Sequence, residues 1–438
     1  MVTVITDGIM MYLSRMADKQ LIQNLETFGA VLIEGPKWCG KTTTAMKQAK
    51  SVIELQDPDT REGFLATAKI RPSLLLIGDT PRLVDEWQVA PAIWDAVRVM
   101  VDKRGEPGQF ILTGSNSIDK TQIMHSGTGR IARMQMYPMS LFESQESTGE
   151  ISLMDMFDNP DFDIDGVKSK MTIEDLIFVA CRGGWPASLK LKTLKSQLLI
   201  ARDYIKSICE IDISSVDGIN RDKTLASLIL RTYSRNLSTL ATKTTMIKDV
   251  RSNIETLAEN TFNSYVNAFE KLFVIQDVEA WNPSIRSSTS IRSSSKRNLI
   301  DPSIAVAALG LTPEKLKMDL KTFGFIFECM CIRDLKAYSQ AQGSSLSYYH
   351  DRYDLEADAV LLLPDGRYAL IEFKLGGSEV EEGARHLLEI RNLVREFNKT
   401  ATNAQLREPD LMMVITGGPI AYTRTDGVKV LPLACLKN

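Results

Sequence analysis

The stretch Gly35-Pro-Lys-Trp-Cys-Gly-Lys-Thr42 constrains this chain more than any other. Two glycines around four residues, then Lys-Thr, let the backbone curl so that successive N–H groups point at one anion. Lys41 adds a point charge for outer phosphates, and the Thr42 hydroxyl is a ligand for Mg²⁺. A helix opening near Lys41 turns its positive end to the same anion. The flanks agree. Phe28-Gly-Ala-Val-Leu-Ile-Glu34 is a short apolar run of strand type, and Thr43 to Lys50 reads as a helix with a polar face. The expected ligands are ATP and Mg²⁺, held by Gly35, Pro36, Lys37, Trp38, Cys39, Gly40, Lys41, Thr42 and Thr43.

A nucleotide hydrolase needs a second carboxylate site, and Leu83-Val-Asp-Glu86 supplies one. A strand ending in Asp85 sets a carboxylate where it holds the magnesium through water, and Glu86 is placed to polarise an attacking water. A third strand, Gln109 to Asn116, ends in small polar residues. Thr113, Ser115 or Asn116 is expected to sense the γ-phosphate; a plain strand exit is the competing reading. Arg130 and Arg133 follow. A guanidinium there neutralises charge on the transferring phosphoryl, from within the chain or across a subunit contact in a homo-oligomer. Surface ion pairs are the other reading.

At 438 residues the chain is long enough for two or three domains. Hydrophobic residues make up 44% and charged residues 24%, as in soluble globular proteins. A formal charge of −3 gives no support to a wholly basic nucleic-acid binder, but leaves room for a local basic face. Six cysteines without a C-x-x-C pair point to reduced thiols rather than a zinc ribbon. Three histidines argue against a histidine-based metal centre. Met1 to Arg15 lacks a secretory pattern, and no apolar run approaches the roughly 18 residues of a bilayer span. The expectation is a soluble cytoplasmic protein with no membrane partner.

Residues 1–25 read as a lead-in helix. From about 28 to 145, strands, including Leu74-Leu-Leu-Ile77, alternate with helices around 42–50, 60–70 and 91–104. That alternation implies a parallel sheet covered on both faces. The acidic run Asp155 to Asp165 reads as a loop closing this first sheet domain. Residues 172–235 read as helices interrupted by Gly183-Gly-Trp-Pro186. Leu237 to Thr242 is expected to open one helix, with a second around 247–257 and a third from Thr261 to Lys271. The strand Leu272 to Val278 follows. This set suggests a winged helix-turn-helix, with Asn263, Ser264, Asn267 and Lys271 toward a DNA groove. A packing module between two domains is the alternative, since one lysine makes a thin recognition helix. Ser284 to Arg297 holds seven serines with Arg286, Arg292, Lys296 and Arg297. It reads as a flexible basic segment that meets phosphates, or as a solvated surface loop.

In the C-terminal third, Phe323 to Tyr338 has helical spacing with Glu328 inside. Leu346 to His350 and Leu355 to Leu363 read as strands. Tyr368 to Lys374 pairs back as a hairpin through Pro364-Asp-Gly366. A helix with Arg385, Arg391 and Arg395 and a core strand, Asp410 to Thr416, complete the pattern. Asp358 and Glu372 fall on adjacent strands, Glu372 and Lys374 share a face, and Glu328 leans in from the helix. Carboxylates with one lysine suit metal-assisted phosphodiester hydrolysis, with Glu328, Asp358 and Glu372 as ligands and Lys374 orienting water. A charged hairpin rim and a vestigial, non-cutting site are the alternatives.

With these residues assembled, the chain resembles a broad group of bacterial and archaeal AAA+-type ATPases along nearly its whole length. The shared pieces are G-P-K-W-C-G-K-T, L-V-D-E-W-Q, I-L-T-G-S and Tyr137-Pro-Met-Ser-Leu-Phe-Glu143. Gly183-Gly-Trp-Pro186, Asp301-Pro-Ser303 and E-x-D…E-x-K at 356–374 continue them. The resemblance implies ATP binding and a C-terminal fold similar to PD-(D/E)XK nucleases. The first acidic position, Asp358, here lacks the preceding proline. The expected fold class is α/β. A P-loop ATPase domain covers 1–150, a helical and winged-helix module 151–300, and a restriction-endonuclease-like domain 301–438. Two functions stay open. One is a Mg²⁺-dependent ATPase acting on DNA; the other is a non-enzymatic ATP-gated switch or DNA- or protein-binding module with a vestigial nuclease fold.

Overall fold

Ala30-Val-Leu-Ile is wholly buried because its strand is covered on both faces. A computed structural model describes residues 12–116, 123–254, 256–281, 294–401 and 405–438. In it α1 (Met16–Thr27) leads into β1 (Ala30–Glu34), and α2 (Lys41–Gln48) leads to β2 (Ser51–Glu54). Then come α3 (Arg61–Ile70), β3 (Arg82–Asp85), α4 (Ala92–Arg104), β4 (Phe110–Gly114) and β5 (Ile131–Gln135). The five strands are parallel in the order β2-β3-β4-β1-β5. Alternate side chains of β1 serve two cores. Val31 and Ile33 pack with Leu21 of α1 and Ala45 of α2, while Ala30 and Leu32 pack with Ile93, Trp94 and Val97 of α4.

One expectation for this sheet is corrected. Leu74 to Ile77 is not a strand; Pro72–Leu76 forms a 3₁₀ turn. Proline fixes its own φ and offers no N–H to a ladder. The remaining strand is Ser51–Glu54, on the sheet edge, where only Ile53 is buried. One buried residue in four leaves no apolar run to read.

The middle segment is helical: α5 (Ile173–Arg182), α6 (Leu194–Ser207), α7 (Lys223–Arg235), α8 (Lys243–Arg251), α9 (Glu259–Lys271) and α10 (Pro302–Ala308). Leu237 to Thr242 opens no helix but is the turn between α7 and α8. Ser238 takes a positive φ of 58° there, and Thr242 caps α8 by accepting from Thr245 N. Leu272 to Val278 is likewise no continuous strand. It makes isolated antiparallel bridges, Ile275 with Leu299 and Val278 with Lys296. Of the serine-rich segment, 284–293 lies outside the described residues. Lys296 and Arg297 are buried rather than solvated. The acidic run lies against the other sheet: Gly166 N donates to Ala421 O and Thr423 N to Asp165 Oδ1.

Helix α11 (Leu320–Ser339) precedes β6 (Ser345–His350), β7 (Glu356–Leu362), β8 (Tyr368–Lys374), α12 (Val380–Thr400), β9 (Leu411–Thr416), β10 (Tyr422–Thr423) and β11 (Lys429–Pro432). The sheet order is β10-β11-β9-β8-β7-β6. Helix α12 covers one face through Ala384, Leu387 and Ile390. The other face belongs to a core that runs from Leu141 to Leu436 and takes in α5 through α11. Ile151–Ser152 also pairs with Leu436–Lys437.

Where these parts meet, a polar knot is buried. Arg333 donates to Asp301 at 3.1 Å and to Asp334 at 2.8 Å, and all three side chains are essentially inaccessible. Asp334 accepts from Leu141 N, and Asp301 accepts from Gly184 N. Removing the guanidinium leaves two carboxylates buried without it, at a cost of about 3–5 kcal/mol. Arg333→Met is therefore expected to lower the urea midpoint of unfolding, and Asp301→Asn in the same background to recover part of the loss.

Candidate nucleotide site and C-terminal carboxylate cluster

The loop leaves β1 at its carboxyl end, where parallel sheets bind ligands. Gly35 must be glycine: a Cβ there would overlap the Met136 carbonyl oxygen. Gly40, at φ 103°, turns the chain into α2. Lys41 is 5% exposed, and its ammonium donates to Gly35 O at 3.0 Å and Pro36 O at 2.8 Å. Both acceptors are neutral carbonyls, which an incoming phosphate outcompetes for the charge.

Strands β3 and β4 bring the acidic partners. Thr42 Oγ1 donates to Asp85 Oδ1 at 2.7 Å, and Thr113 Oγ1 donates to the same oxygen at 2.5 Å. Hydroxyl and carboxylate oxygens are the hard donors that Mg²⁺ takes, so this pair fits that ion. Glu86 sits at φ 53°, its N–H donating to Thr113 Oγ1 at 3.1 Å. Its carboxylate accepts from Ser115 Oγ at 3.0 Å and from Gln88 Nε2. Asn116 Oδ1 is buried and has no hydrogen-bond partner among the described residues.

Other loop residues face the helical segment. Lys37 Nζ meets Asp212 Oδ1 at 2.6 Å, where α6 widens into a π-helical turn over Ile208–Asp212. Trp38, half exposed, lies with its ring 6.3 Å from that of Tyr204, which packs on Trp185 at 4.4 Å. Cys39 is buried and its carbonyl accepts from Arg15 Nη1 at 2.6 Å; Arg15 also pairs with Glu143 at 3.0 Å. Thr43 lies exposed on α2. Arg15, Gln88, Asp212 and Tyr204 were not singled out from sequence; only Gln88, inside Asp-Glu-Trp-Gln, carried a local signal.

Arg130 and Arg133 do not join this group within the chain. Arg130 O accepts from Ala30 N at the start of β1, whereas the loop follows its end. About five residues of strand, roughly 15 Å, separate Arg130 from the loop, while Arg133 pairs with Leu32 in mid-strand. Arg130 is exposed and pairs with Asp102 at 2.8 Å; Arg133 lies over the Trp94 ring. The face of α9 is also engaged. Arg221 donates to Ser264 Oγ, Lys271 pairs with Asp217, and Asn263 is half-buried, which leaves Asn267 exposed.

In the second sheet, Ala359 on β7 pairs with Ile371 on β8, the last pair before Asp358 and Glu372. Phe373 N donates to Asp358 Oδ2 at 2.9 Å. Glu372 is fully buried, with Lys374 Nζ at 2.8 Å and His386 Nδ1 at 3.4 Å. Glu328 and Asp358 face the Lys296 ammonium instead, at 2.8 and 3.1 Å. Among the described residues no group of three His, Cys, Asp or Glu side chains is disposed to hold a metal. Burial and the nearby Asp358 push the Glu372 carboxyl up to about 7, against His386 and Lys374, which lower it. The hydrogen bond to Glu372 raises His386. For Glu372, folding thus favours the protonated carboxyl. That stability is complete below about 4.5 and is lost as pH rises through about 7. The thermal midpoint should fall between pH 5 and 8, and Glu372→Gln should flatten the fall.

Residues 27–145 match the family model described as an AAA domain, which supports a P-loop ATPase over that segment. Residues 173–315 and 323–436 match two domains of unknown function, DUF8612 and DUF4143. The chain is similar to uncharacterized proteins of Mycobacterium bovis and Mycobacterium tuberculosis, 23% identical to each over 313 residues, 70% of this chain. It spans 60% of the length of these curated relatives. Among solved structures, a Walker-type ATPase of Pyrococcus abyssi aligns at TM-score 0.41 and 12% identity, over 68% of this chain and 96% of that one. A signal-transduction ATPase with a tetratricopeptide repeat sensor from Pyrococcus horikoshii aligns at 0.24 and 13%, over 75% and 48%. Likeness at such scores is too slight to carry a functional reading. No helix among the described residues is long and apolar enough to cross a membrane.

Proposed function

We propose that this chain binds ATP with Mg²⁺ at residues 35–43 and hydrolyses it. The observation that carries the reading is the meeting of Thr42, Thr113 and Asp85 beside the Lys41 ammonium. Thr42 and Asp85 would hold the magnesium, which supplies charge neutralisation at the phosphates. Lys41 exchanges two carbonyl oxygens for phosphate oxygens. Glu86 orients the attacking water once it gives up Ser115 or Gln88, and Asn116 offers its unpartnered oxygen to the same space. Since Arg130 pairs with Asp102 and Arg133 lies over the Trp94 ring in their own chain, the arginine of the phosphoryl site would come from a second copy in a homo-oligomer. Six free, buried cysteines suit a reducing cytoplasm. DNA is the proposed macromolecular partner, met by the nuclease-like frame of Asp358, Glu372 and Lys374 rather than by α9.

One observation favours a second reading, the ATP-gated switch without appreciable turnover: Glu86 is held by two side chains at once. Phosphate release separates the two. Under the first reading Lys41→Ala loses at least about 100-fold in kcat/KM, as expected when a phosphate-stabilising charge is removed. Glu86→Gln keeps ATP binding and loses turnover. A Lys41→Ala protein as fast as its parent sinks both readings. A parent with tight ATP binding and no phosphate release leaves the switch.

A further inference from the structure

Lys296 is a buried charge. It is 4% exposed, and its ammonium lies 2.8 Å from Glu328 Oε1 and 3.1 Å from Asp358 Oδ1. The Tyr348 ring lies beneath it at 5.7 Å. Its backbone is fixed as well: Lys296 N donates to Val278 O and Val278 N to Lys296 O, at 2.8 and 2.9 Å. The stem therefore enters the cluster from a bridged ribbon, not from a loose surface segment. A buried lysine is costly unless paired, and here two carboxylates converge on it. Burial lowers its pKa, and Glu328 and Asp358 more than offset that.

These two carboxylates belong to the set that a divalent cation would use in a nuclease-like sheet. The third, Glu372, is turned to Lys374 and His386. We infer that Lys296 is the resident cation of this cluster and that it closes Glu328 and Asp358 to divalent metal. The ammonium supplies the positive charge and the hydrogen bonds, so the carboxylates are satisfied with no ion present. An ion would bring a second centre of positive charge to oxygens already held by the first. The inference deepens the nuclease-like reading of β7 and β8: that frame is kept while its metal-dependent step is blocked. It does not depend on ATP hydrolysis, and Lys41→Ala leaves its outcome unchanged.

The test is Mn²⁺ uptake by the full chain, followed by electron paramagnetic resonance without nucleotide. The unaltered protein and Asp358→Asn should take up Mn²⁺ alike, since any ion at Thr42 and Asp85 is common to both. Lys296→Ala should gain one further Mn²⁺ per chain, and Asp358→Asn in that background should lose it. Mn²⁺ should raise the melting temperature of Lys296→Ala and not of the double variant. Lys296→Met, which keeps the apolar stem, serves if Lys296→Ala does not fold. An Asp358-dependent Mn²⁺ in the unaltered chain overturns the inference, and that comparison needs no Lys296 variant. A folded Lys296→Ala or Lys296→Met protein that gains no Mn²⁺ overturns it equally.

Discussion

A guanidinium sealed from water must be matched by carboxylates within reach, and Arg333 has two, Asp301 and Asp334. Much of the architecture follows from that requirement. Asp301 begins α10, Arg333 and Asp334 lie on α11, and Asp334 also holds the N–H of Leu141 just beyond the first sheet. Three stretches that match three separate family models meet at one buried charge cluster. Gly184 fits beneath it because a side chain there would overlap the Met139 backbone. Burial pushes the Asp334 carboxyl up to about 6, against Arg333, which lowers it.

The nucleotide loop is tied to the same body. Arg15 spans from the Cys39 carbonyl to Glu143, and Glu143 accepts from Ser140 one residue before Leu141. Lys37 reaches Asp212 at the π-helical turn, and Tyr204 stands between Trp38 and Trp185. A π-helical turn of this kind often marks a functional position. Any shift of residues 37–39 when phosphate enters acts directly on Asp212, Tyr204 and Arg15.

Contiguous chemistry was legible from sequence; chemistry assembled across the fold was not. Gly35 to Thr42 announces itself because phosphate binding needs those residue types in one run. Asp85 and Glu86 follow because a strand presents them together. The hairpin β7–β8 and the helix α12 were also readable, from alternation and helical spacing. Arg15, Asp212 and Lys296 carried no signal, since their partners lie 128, 175 and 62 residues away. Lys296 looked like part of a basic serine-rich loop, and only the bridge to Val278 turns it inward. Leu74 to Ile77 misled for the converse reason. An apolar run buries itself as well in a 3₁₀ turn as in a strand, and Pro72 decides between them.

The central claim is that residues 35–43 bind the phosphates of ATP through Lys41. Trp38 offers a direct reporter, half exposed on the loop itself while Trp87, Trp94 and Trp185 are buried. Its fluorescence, titrated with ATP and Mg²⁺, should change along a saturable curve, and Lys41→Ala should shift that curve at least tenfold, about 1.4 kcal/mol. An identical curve for parent and Lys41→Ala, or no response to ATP in either while both remain folded, would contradict the account.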